Sequence, residues 1–208
     1  FFVMSTDPTL KLVYFKGHGR ALPIRLAAVV GNVKVENEFT DDFAAALKAT
    51  PFQGLPVLKI GDDQVLAQSN AILQYVGEKG GLLPDNALGR ARVTEVLDWS
   101  EDIIHLVAPT FRIQDEQEKI KARQALLEGK LGTAIDNTAK YLGDKKFVVG
   151  DKLSIADLKL FGTLILFTSG KLDGIPQTVL EDRKLDNLAA YAKSISSIDA
   201  IAAYLKNP

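Results

Sequence analysis

Cysteine is absent from this 208-residue chain, which excludes disulfides, thiolate metal sites and a cysteine nucleophile. Histidine is nearly absent as well. His18 and His105 are the only two, too few for a multi-histidine site, so no metal is expected. No apolar run approaches the roughly 20 residues that cross a bilayer. The 25 basic and 26 acidic side chains are evenly mixed, and without a block of one sign neither nucleic acid nor a membrane surface is an expected partner. A chain without staples or a signal-peptide pattern reads as cytoplasmic. Methionine occurs once, at Met4, and Phe1–Val3 read as residues ahead of a native start.

What is present divides into two textures. Hydrophobic residues make up 47% of the chain, enough for a substantial core in one domain or two small ones. Over residues 1–80 short strand and helix signals alternate. Leu10–Phe15 alternates at period two, and Ala21–Val30 is an apolar helical run stopped by Gly31-Asn32. Val33–Phe39 alternates again, and Asp41–Thr50 reads as a short helix capped by Thr40. Pro56–Ile60, the turn Gly61-Asp62-Asp63 and Gln64–Ala67 predict an antiparallel hairpin. Ser69 then caps a helix running to Gly80-Gly81. This order, β-α-β followed by β-β-α, predicts a mixed four-stranded sheet.

Beyond the breaker-rich linker 80–86 the texture is helical. Arg90–Leu106, Glu116–Leu142, Ser154–Thr168 and Asp186–Ile195 carry apolar residues at three-to-four residue spacing. Domains are therefore expected at 8–82 and 88–205, with no internal repeat.

The segment Leu12–Ala21 concentrates the chemistry. A strand ends on Tyr14, enters the turn Gly17-His18-Gly19 and reopens as a helix at Arg20. A strand's C-terminal end followed by a helix N-terminus is where open α/β layers bind ligands. A dinucleotide fingerprint fails here, because Leu22 stands where the third glycine belongs. Tyr14 by itself also fits ordinary half-buried packing. Arg20 sits at a helix end that favours anions, so it needs a partner or a task. Gln68-Ser69 is both a cap and an anion-ready helix start. Leu55-Pro56 at a strand head fits an edge or a cis peptide, leaving backbone open to an extended peptide. Ser154-Ile155-Ala156-Asp157 resembles a capping box with aspartate in place of glutamate. Asp98, Glu101 and Asp102 share one helical face, with a solvated face the plain reading.

Taken in order, these motifs resemble a cytosolic glutathione transferase of the tyrosine-type, sigma-like classes. Tyr14-Phe15, Gly19-Arg20-Ala21, Pro23-Ile24-Arg25, the strand-head proline, Gln68-Ser69 and the box within Leu153–Leu158 carry it, from about Leu10 to Leu205. The resemblance implies an α/β thioredoxin-like N-terminal domain plus an all-α C-terminal domain that binds apolar electrophiles. It further implies glutathione as co-substrate and a homodimer. Tyr14 matches the thiol-activating tyrosine and Arg20 the arginine beside it. Leu55 and Pro56 match the backbone that pairs with the cysteinyl unit. Gln68 and Ser69 match the pair holding the γ-glutamyl end, and Asp102 an acid reaching the partner subunit's glutathione. Phe43, Lys48 (or Leu47) and Gln53 stand where contacts to the rest of glutathione are expected, although the family often has tryptophan and lysine in that helix. Phe15, Gly17, Ile104, Phe111, Lys159 and Thr163 are electrophile contacts by position. A non-catalytic ligand carrier or structural protein on the same fold, or a glutathione-dependent isomerase such as a prostaglandin synthase, is the alternative.

Overall fold

The structure, a computed structural model, describes residues 8–48 and 50–207; the side chain of Phe43 lies outside the described residues, as does Phe1–Val3. The chain falls into two compact units that part between Leu82 and Leu83.

The first unit is built on β1 (Leu10–Tyr14), β2 (Glu36–Phe39), β3 (Val57–Ile60) and β4 (Gln64–Ala67), in the order β2-β1-β3-β4. β1 and β2 run parallel, joined through the helix α1 (Leu22–Val30), while β3 and β4 run antiparallel to their neighbours. β3 is therefore an interior strand, and of the two expectations for Leu55-Pro56 the cis peptide is the one observed. β2 starts later than Val33, because the Val33 N–H turns back to the Ala28 carbonyl at 2.8 Å and closes the end of α1. α3 (Ser69–Lys79) packs on α1. Their C-termini cross so closely that a Cβ on Gly31 would lie 2.6 Å from the Cα of Gly80. Leu12, Leu58, Ile24, Leu26 and Ile72 are fully buried between sheet and helices.

Two caps differ from expectation. Asp42, not Thr40, caps α2 (Phe43–Lys48), accepting the Ala45 N–H at 2.9 Å. Thr40 instead donates to the Asp42 carbonyl. Ser69 is the first residue of α3, and the cap position belongs to Gln68.

The second unit contains α4 (Ala87–Val107), α5 (Glu116–Glu128), α6 (Lys130–Leu142), α7 (Ile155–Thr168), α8 (Val179–Asp182), α9 (Asp186–Ser196) and α10 (Asp199–Lys206). The expected single run Glu116–Leu142 is broken at Gly129, whose φ −112° and ψ −117° are not helical. α7 is apolar around much of its circumference and packs mainly on α4. At its start Asp157 is buried and accepts from the Val148 N–H (2.7 Å), the Ser154 N–H (2.8 Å) and the Tyr191 hydroxyl (2.8 Å). The box read from sequence thus also recruits α9. Among the described residues no helix is long and apolar enough to cross a membrane.

Candidate active site

Register gathers the chemistry at one end of the sheet. Tyr14 pairs with Phe39, Val13 with Val57 and Val57 with Ala67. The end of β1, the start of β3 and the end of β4 therefore lie side by side, with Leu55-Pro56 and Gln68-Ser69 as their immediate extensions. At about 4.8 Å between neighbouring strands these three ends span roughly 10 Å. That is room for an extended tripeptide of about 10 Å.

Tyr14 is half-buried at the tip of β1, its ring 4.9 Å from that of Phe15. Its phenolic oxygen accepts the Arg20 N–H at 3.2 Å. A phenol that accepts one bond keeps its own proton to give, and no acceptor for that proton occurs among the described residues. Gly19 makes this placement possible: its φ is +41°, and a Cβ there would sit 2.5 Å from the Tyr14 oxygen. Arg20 is half-buried in the short 3-10 turn Gly19–Ala21. Gly17 is exposed.

Across the edge, Leu55 is half-buried and its backbone lies beyond the last ladder pair, Val13 with Val57. Thr50 shapes the loop before it, its hydroxyl oxygen taking the Gly54 N–H at 3.0 Å. Gln53 in that loop has φ +49° and is exposed, as is Lys48. Gln68 has φ +72°, a region unfavourable for a residue with a side chain, while Ser69 beside it is buried. Strained backbone of this kind concentrates at functional sites.

In the helical unit, Asp102 is exposed and lines a groove of about 510 Å³ with Trp99, Ile103 and Leu106. Ile104 is half-buried and Phe111 exposed, with the Arg123 guanidinium 5.2 Å from its ring. Lys159 and Thr163 do not suit the electrophile role expected of them. Lys159 is 1% exposed with its ammonium bound to Glu101, and the buried Thr163 hydroxyl donates to the Lys159 carbonyl at 3.0 Å. Glu101 is accordingly an ion-pair partner and not part of a solvated face, whereas Asp98 is exposed.

Arg25, quoted above only within the motif Pro23-Ile24-Arg25 and given no role there, is buried on α1 and bonded to the carbonyls of Phe15 and Gly17. The available signal was a lone charge inside the apolar run Leu22–Val30, since charged residues are seldom fully buried without a partner.

The sheet order and the helices on it give the first unit a thioredoxin-like fold, followed by an all-helical unit. Family models then identify the whole: the N-terminal domain of glutathione S-transferase matches residues 8–78 and its C-terminal domain residues 101–208. The chain belongs to the glutathione S-transferase family and is a glutathione transferase. A glutathione S-transferase of Antechinus stuartii is 28% identical over 97% of this chain and 89% of its own. The hematopoietic prostaglandin D synthase of Gallus gallus is 28% identical over 96% of each. Among solved structures, rat hPGDS complexed with a quinoline superposes with a TM-score of 0.83 at 25% identity, covering 97% of this chain and 98% of that one. A monomeric glutathione S-transferase of the hookworm Necator americanus superposes at 0.78, also 25% identical, over 96% and 98%.

Proposed function

We propose that the chain is a sigma-like, tyrosine-type transferase that attacks apolar electrophiles with glutathione thiolate, Tyr14 being the group that stabilises the sulfur. The observation that carries this reading is the uncommitted Tyr14 hydroxyl, held by the Arg20 N–H at the tip of β1. A free thiol titrates near pKa 8.5, so predominant ionisation at neutral pH requires a drop of about two units, or roughly 3 kcal/mol. A hydrogen bond to a charged group supplies on the order of 1.5–3 kcal/mol, and the positive charge of Arg20, proposed to face the sulfur, adds to it. The open backbone of Leu55 at Pro56 is the proposed partner of the cysteinyl unit, with Gln68 and Ser69 at the γ-glutamyl end. Phe43, Lys48 and Gln53 are proposed contacts to the remainder. Phe15 and Gly17 in the first unit, and Ile104 and Phe111 in the second, are the proposed electrophile contacts; Lys159 and Thr163 are dropped because their polar atoms are engaged elsewhere. The protein is proposed to act in the cytoplasm as a homodimer, Asp102 serving the partner's glutathione.

Glutathione-dependent isomerisation is the second reading, favoured by the prostaglandin D synthase among the relatives. Turnover of a generic aryl halide with glutathione, measured beside retention on immobilised glutathione, tests the first. Both are expected. Retention without turnover of the aryl halide directs attention to an endoperoxide isomerisation assay, and absence of both removes the active-enzyme reading in favour of a carrier.

A further inference from the structure

Arg25 is 5% exposed, and each of its polar contacts is to a neutral acceptor. Nε donates to the Asn37 side-chain oxygen at 2.8 Å, one terminal nitrogen to the Gly17 carbonyl, and the other to the Phe15 carbonyl at 3.3 Å. The guanidinium carbon also stands 6.0 Å from the centroid of the Tyr14 ring and 5.5 Å from that of Phe39. No carboxylate pairs with it among the described residues.

The strand alternation of β2 explains why. Asn37 and Phe39 turn toward Arg25, which puts Glu36 and Glu38 on the opposite face; there Lys59 holds Glu38 at 2.8 Å. Asp42, which follows β2, is used as the cap of α2. The charged or titratable side chains of the loop itself, Lys16, His18 and Arg20, include no acid. A buried ion without a counter-ion is unfavourable.

Resting on the glutathione reading above, we infer that Arg25 is a positioning residue whose uncompensated charge helps keep bound glutathione in its thiolate form. Its fork fixes the carbonyls of Phe15 and Gly17, and with them the turn that brings the Arg20 N–H onto the Tyr14 oxygen. Its charge makes the whole β1–α1 loop favour an anion.

Asn37→Asp tests this directly, because it sets a carboxylate of the same shape against Nε and neutralises the charge without removing the bond. The readout is the ultraviolet absorbance of the thiolate of glutathione bound to the full chain, followed against pH, with the melting temperature alongside. The apparent thiol pKa is expected to rise by about one unit while the melting temperature holds or rises. Below that pKa the thiolate fraction then falls about tenfold. A purely structural Arg25 predicts no change in thiol pKa, and that result overturns the inference. Should Asn37→Asp melt below the wild type, Arg25→Lys decides, since it keeps the charge and gives up the fork. A thiol pKa closer to wild type than that of Arg25→Met supports the inference, and equality with Arg25→Met overturns it. Failure of the underlying reading looks different: wild type itself would not lower the thiol pKa, or Tyr14→Phe would not raise it.

Discussion

A phenol becomes a donor to sulfur only if its oxygen is held still and its proton left unspent, and Gly19 secures the first condition for Tyr14. The residue sits at φ +41°, and any side chain on it would collide with the phenol oxygen. Gly19→Ala is therefore expected to cost about 1–2 kcal/mol for the left-handed backbone alone. Because the ring must also swing away, kcat/KM should fall by tenfold or more, a displacement of about 1 Å being able to cost 10². Denaturant unfolding and steady-state kinetics check the two effects separately. Activity within about twofold of wild type, despite the stability loss, would show that the Tyr14 position tolerates movement. The glycine was legible in sequence as part of a turn. Its contact with Tyr14 was not, since a clash with an absent Cβ exists only in three dimensions.

At the scale of elements, the start of α7 ties three segments together through one carboxylate. Burial pushes the Asp157 carboxyl above the ordinary aspartate range, while the N–H groups of Val148 and Ser154 and the Tyr191 hydroxyl pull it the other way. Tyr191 is pushed upward too, by burial first and then by the Asp157 charge. Between the ordinary and the raised aspartate values the folded state binds more protons than the unfolded, so stability from this group falls as pH rises through the raised value. The melting temperature of wild type minus that of Asp157→Asn should accordingly decrease from mildly acidic to neutral pH. A difference that grows with pH would mean that the donors outweigh burial. Asp157→Ala strands the N–H groups of Val148 and Ser154 and the hydroxyls of Ser154 and Tyr191, each at about 1–3 kcal/mol, and is expected to be the more damaging substitution. Sequence showed Ser154 and Asp157 because their spacing is local. Tyr191 lies 34 residues from Asp157 along the chain, and no periodicity reports such a meeting.

For the whole molecule the central question is assembly. The proposed homodimer requires a mass of about twice 22.6 kDa in sedimentation at micromolar concentration. Asp102→Asn should then weaken glutathione binding without altering the secondary structure of the subunit, because Asp102 is exposed on α4. A monomer that keeps full activity on dilution removes both the dimer and the role of Asp102.

By itself the sequence determined what local spacing can determine. It gave a β-α-β, β-β-α order for a mixed sheet, the hairpin strand Gln64–Ala67, the Ser154–Asp157 box, and the tyrosine and Gln-Ser pair flanking a strand-end site. Periodicity and capping act over a few residues, so they survive in one dimension. Tertiary structure alone decided where long side chains ended. It drew Lys159 onto Glu101 and turned Arg25 beneath the Tyr14 loop without a carboxylate. Those outcomes depend on which groups meet across a packed interior, where an unmatched charge or donor is expensive enough to override local preference.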